Sequence, residues 1–241
     1  MSLISKIQSL ISSANAVTGE SRTDLTSAVQ DLKDGYGGGT IILPSEYQKV
    51  DYLTSTGTQR IETGLVNNAH NVPIKYEFGV NYSDVTARQL HGSQGAFYVG
   101  VVNGLWQVGQ GGTSGQGTAL ANTWYSVKYY ASGGTSGNAP RKGIFTTLDD
   151  DMNVQVYSFN SSFDVSNDFQ ICVFSLNGQT MPSTCSVSYF KVWQDGILQR
   201  HLIPCYRKSD NEIGMYDIVN GVFYSNAGTG SFTCYPTPPT T

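Results

Sequence analysis

Few residues in this 241-residue chain have types and spacings that could do chemistry. Its histidines are His70, His91 and His201, its cysteines are Cys172, Cys185, Cys205 and Cys234, and its glutamates are Glu20, Glu46, Glu62, Glu77 and Glu212. Glycoside hydrolysis needs two carboxylates flanking the scissile bond, roughly 5–9 Å apart. The glutamates are scattered over terminal and bracketing segments, which argues against a hydrolase. A serine nucleophile is equally unsupported, because there is no Gly-x-Ser-x-Gly and no motif that places a histidine. Cys172 lies in the apolar run Phe169-Gln-Ile-Cys-Val-Phe174, where burial raises a thiol pKa and keeps it inert. Cys205 and His201 are near in sequence, but Arg200 and Pro204 mark a strand boundary. With no C-x-x-C, the four cysteines read as free, buried thiols.

Two groupings remain. Asp149-Asp150-Asp151 with Asn153 is the densest acidic cluster, and hard cations take oxygen ligands. It reads first as a solvated turn between Ile144-Phe145 and Val154-Gln155-Val156, with calcium at Asp149 and Asp151 as the alternative. For sugar recognition the useful groups are aromatics that stack on ring faces, beside amides that bond hydroxyls. Asn103-Gly104-Leu105-Trp106-Gln107, Trp124-Tyr125 and Tyr129-Tyr130 are the richest such stretches. Asn103, Trp106 and Gln107 are the ligand candidates, although Trp106 reads first as a core or subunit-interface residue.

The elements that must position these groups change character near Gly37. Leu3, Ile4, Ile7, Leu10 and Ile11 recur at helical spacing, and Leu25, Ala28, Val29 and Leu32 do so again. Thr23 or Asp24 suits the N-cap of the second helix and Gly35 its C-cap. Two helices this short are marginal alone in water, so each must pack on something. A hairpin folded back on its own domain would serve. The hinge Gly37-Gly38-Gly39 favours an assembly segment, with Ile4, Ile7, Ile11, Leu25, Val29 and Leu32 as its oligomer or attachment residues.

From Ile41 onward the period is two. Ile74 to Val80, Tyr125 to Tyr129 and Val187 to Trp193 alternate apolar with polar, and Asn103-Gly104, Asn177-Gly178, Asp195-Gly196 and Asn220-Gly221 signal hairpins. The expectation is a mainly β chain: an antiparallel β-sandwich over 41–234, a short helical segment over 1–39 before it, and a Pro/Thr tail over 235–241.

Composition narrows the partners. Lys and Arg number 14 against 18 Asp and Glu, a formal charge of −4. Without a basic block there is little to replace the counterions of a phosphate backbone, so nucleic acid is excluded as an expected partner. No apolar run reaches the ~20 residues of a membrane span. The start has neither a basic n-region nor a solid h-region, so a secretory leader is not expected.

Two stretches are specific enough to carry a resemblance. Leu43-Pro-Ser-Glu-Tyr-Gln-Lys-Val-Asp-Tyr-Leu53 with Ser55-Thr-Gly-Thr-Gln-Arg-Ile-Glu-Thr-Gly64 resembles the opening of laminin-G-like, concanavalin A-like domains of phage and gut-bacterial proteins. Phe190 to Gly196, Leu202 to Asp210, Glu212 to Asp217 and Phe223 to Gly230 are similar to that family's end. The front, Ser13 to Glu20, Asp24 to Val29 and Gly35 to Gly39, resembles the N-terminal segment of tailed-phage appendage proteins. Together these imply a concanavalin A-like jelly roll in a virion structural protein: a tail, baseplate or head-fibre subunit that adheres to host-surface carbohydrate. They further imply a homo-oligomer, a trimer first, joined to other virion proteins through 1–39, with assembly in the host cytoplasm. A capsid or tail decoration protein that binds no glycan is the alternative. Glucanases of this fold carry Glu-x-Asp-x-x-Glu on one strand. This chain lacks it.

Overall fold

A computed structural model describes residues 41–66, 73–86, 89–93, 97–108, 114–131, 140–162, 170–176 and 183–239. The helices expected over 1–39, with Ile4, Ile7, Ile11, Leu25, Val29 and Leu32, lie outside the described residues. The chain divides between Ile42 and Leu43.

Among the described residues every regular element is a strand. In chain order these begin with β1 (Tyr47–Lys49), β2 (Tyr52–Thr56), β3 (Ile61–Val66), β4 (Ile74–Tyr82), β5 (Gln89–Ser93) and β6 (Phe97–Val102). Next come β7 (Leu105–Val108), β8 (Ser114–Thr118), β9 (Trp124–Ala131), β10 (Pro140–Asp149), β11 (Val154–Ser162) and β12 (Gln170–Val173). The last are β13 (Thr184–Gln194), β14 (Ile197–Arg207), β15 (Ile213–Asp217), β16 (Val222–Tyr224) and β17 (Thr233–Tyr235).

They form two antiparallel sheets. The larger has 11 strands, in the order β11-β10-β9-β4-β13-β14-β15-β16, with β1 on β14, and β2 between β13 and β17. The smaller has six, in the order β3-β12-β5-β6-β7-β8. Alternation sets which side of each strand is buried, since successive side chains point to opposite faces. Ile74, Tyr76, Phe78 and Val80 of β4, Val127 and Tyr129 of β9, and Phe190 and Val192 of β13 are all fully buried. They share one core cluster with Ile61, Val99, Val101, Trp106, Ile171 and Val173 of the smaller sheet.

The alternation of β13 shifts once, at a bulge between Val187 and Tyr189 opposite Gly79. Gly79 is required there, because a Cβ would overlap the Ser188 hydroxyl and lie 3.1 Å from the Tyr189 ring. Tyr189 instead extends across the glycine to Ser126, and the two hydroxyls are 3.2 Å apart.

The stretches that carried the resemblance, far apart in sequence, close on each other. β2 pairs β17 in register Leu53 to Cys234 and Tyr52 to Tyr235. Asn226 Oδ1 accepts from the Arg60 N–H at 3.1 Å and the Gly228 N–H at 2.8 Å, while its Nδ2 donates to the Gly230 carbonyl at 2.9 Å. The Thr229 and Ala227 N–H groups donate to the Thr58 and Arg60 carbonyls. Gln59, nearly buried, accepts from the Ser55 hydroxyl and the Thr56 N–H. These motifs close the fold. Asn220-Gly221 makes the turn between β15 and β16, as the sequence led us to expect.

Candidate functional site

The ligand positions taken from the sequence do not converge. Asn103 and Gly104, with φ of 52° and 75°, make the tight turn between β6 and β7. Asn103 is exposed there, but Trp106 is fully buried, because the period of β7 turns it into the core and leaves Leu105 outside. Its ring meets Tyr82 and Tyr125 edge-on, at 5.9 and 5.1 Å. Gln107 is buried as well. A sugar platform needs an open ring face, so Trp106 has the core role that its sequence reading put first, and the secondary reading of ligand contact there is corrected.

The acidic run caps a hairpin. Asp149 Oδ1 accepts the Asn153 N–H at 2.7 Å and Oδ2 the Asn153 side-chain amide at 3.0 Å, closing the turn between β10 and β11. Asp150 accepts the Trp124 N–H at 3.3 Å, and Asp151 is exposed. With both Asp149 oxygens engaged, Asp149 and Asp151 do not assemble the calcium site held open as an alternative. No group of three or more His, Cys, Asp or Glu side chains that could hold a metal ion comes together among the described residues.

The thiols are free and buried. Cys185 Sγ lies 3.9 Å from Nε2 of His91, a pairing that resembles a nucleophile and its base, but both are sealed in the core. Burial pushes the Cys185 thiol well up and the His91 imidazole down to about 3, so near neutrality the thiol stays protonated and the neutral imidazole is too weak a base to take its proton. His91 serves as an acceptor: its Nδ1 takes the Phe174 N–H at 3.1 Å. Cys205 is likewise pushed by burial up to about 12.

The convergence of chemistry lies on the face of β9, β4 and β13 that points away from the core, where register lines up three rows. Tyr130, Lys75 and Trp193 form the first, Lys128, Glu77 and Lys191 the second, and Ser126, Gly79 and Tyr189 the third. His201 of β14 continues the second row beyond Lys191. Tyr130 is 43% exposed and Trp193 half-buried, with the Lys75 ammonium 4.3 Å from the Trp193 ring centroid. Lys75 and Lys128 reach Glu77 at 2.7 and 3.8 Å. Burial lowers the pKa of both Lys128 and Lys191; Glu77 opposes the shift, and Lys75 adds to it. Val154 and Val156, both exposed, rim this face on β11.

Other carboxylates are tied to arginines. Glu62 pairs with Arg60 at 2.8 Å, Asp210 with Arg207 at 2.7 Å, and fully buried Asp217 with Arg200 at 3.6 Å. Arg200 also donates to the Thr63 carbonyl of β3, joining the two sheets.

Sequence reasoning missed the three-row face. Its signal was present in the polar positions of strands whose alternation was read. What was lacking was the register that sets Lys75, Lys128 and Lys191 side by side. Comparisons with family models, curated protein sequences and solved structures returned no match.

Proposed function

We propose that this chain is a non-catalytic structural protein of a tailed-phage virion, an appendage subunit whose two sheets form a concanavalin A-like sandwich that adheres to host-surface carbohydrate. The observation that carries the carbohydrate reading is the row Tyr130, Lys75, Trp193: an exposed ring and a half-buried one flank a cation on one sheet face. Aromatic faces stack on sugar rings, while Ser126, Glu77 and the lysines offer donors and acceptors for hydroxyls. The virion reading rests on the resemblance of the front segment and of the two fold-closing motifs. Residues 1–39 attach the subunit to other virion proteins and oligomerise it, a trimer first, and several weak sites on one particle then gain by avidity.

A decoration subunit that binds no glycan is the second reading. Val156 and Val154 on edge strand β11, 59% and 39% exposed, favour it, because such an edge suits packing against a neighbour.

Probing a glycan array with the full-length protein, alongside antibody labelling of purified particles, tests both halves. The expected result is labelled particles and a restricted set of bound glycans, with binding about tenfold weaker for Trp193→Ala. Labelled particles without any bound glycan would favour decoration, and unlabelled particles would overturn the virion reading.

A further inference from the structure

The second row carries an imbalance of charge. Glu77, with a side chain 7% exposed, is met by Lys75 at 2.7 Å and Lys128 at 3.8 Å. Lys191 lies opposite Glu77 on β13, over the Tyr189 ring at 5.6 Å, and no other carboxylate pairs with it among the described residues. Three ammonium groups around one carboxylate sum to +2, on a chain whose formal charge is −4. At the end of the row His201 is 8% exposed, and its Nε2 is buried without a hydrogen-bond partner among the described residues. An unpaired buried polar atom destabilises the fold, and clustered cations repel. An anionic oxygen group entering this row relieves both.

We propose that Lys75, Lys128, Lys191 and His201 bind the anionic group of an acidic polysaccharide, a carboxylate or sulfate ester carried on a sugar ring. The inference rests on the carbohydrate reading above and names the class of sugar. Lys128 and Lys191 stand two strands apart, roughly 10 Å, so the row accepts a short stretch of chain more readily than a single small ion. Tyr130 and Trp193 border the row on one side and supply faces for the rings that carry the charge. Glu77 orients two of the lysines and accepts sugar hydroxyls.

Calorimetric titration of the full-length protein with polygalacturonate, dextran sulfate, unmodified dextran and duplex DNA tests this, with circular dichroism verifying each variant's fold. The acidic polysaccharides should bind at least about tenfold more tightly than dextran, and added salt should weaken them. Preference between the two separates carboxylate from sulfate as the group bound. Lys191→Met should lose about tenfold, while Lys191→Arg keeps most of the affinity. Equal binding by wild type and Lys191→Met, or duplex DNA bound as tightly as the polysaccharides, overturns the proposal. Dextran bound as well as the acidic polymers overturns it too, yet leaves the carbohydrate reading standing. Failure of every polysaccharide overturns both.

Discussion

His91 shows how one buried side chain sets a property of the whole protein. Its imidazole is held neutral down to about pH 3 against an ordinary 6.5, because no solvent reaches it. Below pH 6.5 the unfolded chain takes up a proton that the folded chain refuses. Stability owed to this group is therefore complete above pH 6.5 and declines as pH falls toward 3, by up to about 1.4 kcal/mol per unit. His201, depressed to about 4 by burial and then by Lys191, adds a smaller total, lost over the upper part of that range. Urea midpoints measured from pH 7 to pH 4 should fall steadily. His91→Gln, which keeps an acceptor for the Phe174 N–H without a titrating group, should flatten the curve while lowering stability at neutral pH.

Gly117 is the second residue on which much depends. Its φ of 100° is strained for any side chain, and a Cβ would overlap the Tyr157 hydroxyl and lie 2.6 Å from Gln155 Oε1. β8 thus passes close against the core side of β11. Gly117→Ala should lower Tm by several degrees, about 2 kcal/mol, and Tyr157→Phe in the same chain should recover part of it.

Among the elements, the two fold-closing motifs were legible because their residue types are local: a glycine turn, a run of Ser and Thr, an Asn before glycines. What was not legible was that they bond to each other across more than 160 residues, as Arg60 does with Asn226. Asn226→Ala removes an acceptor shared by two N–H groups and should cost about 2–3 kcal/mol in urea unfolding. Arg200 and Asp217 give a sharper case. Arg200→Met removes the cation beside a fully buried carboxylate and should cost about 3 kcal/mol, whereas adding Asp217→Asn, which keeps an acceptor for the His201 and Val219 N–H groups, should recover part of that.

The strands themselves could be read from alternation, and β4, β9 and β13 lie where that pattern put them. Trp106 stood among the ligand candidates, against its leading core reading, for a related reason. Its neighbours Asn103, Gly104 and Gln107 look like a polar loop, but β7 begins at Leu105, and one step of period two turns the indole inward. Tyr129 and Tyr130 divide in the same way, one stacked on Tyr76 in the core and the other in solvent.

At the scale of the molecule, low charge first served to exclude nucleic acid, and register gives it a second meaning. Three of only 14 basic residues gather on one sheet face of an acidic chain, a placement no composition reveals. Amide shift mapping of the full-length protein during titration with an acidic oligosaccharide tests the central claim most directly. The account predicts saturable shifts confined to the rows of β9, β4 and β13 around Tyr130, Lys75, Lys191 and Trp193, and their loss in Lys191→Met. Shifts centred on the turn at Asn103, or no saturable shift at any concentration, would contradict it.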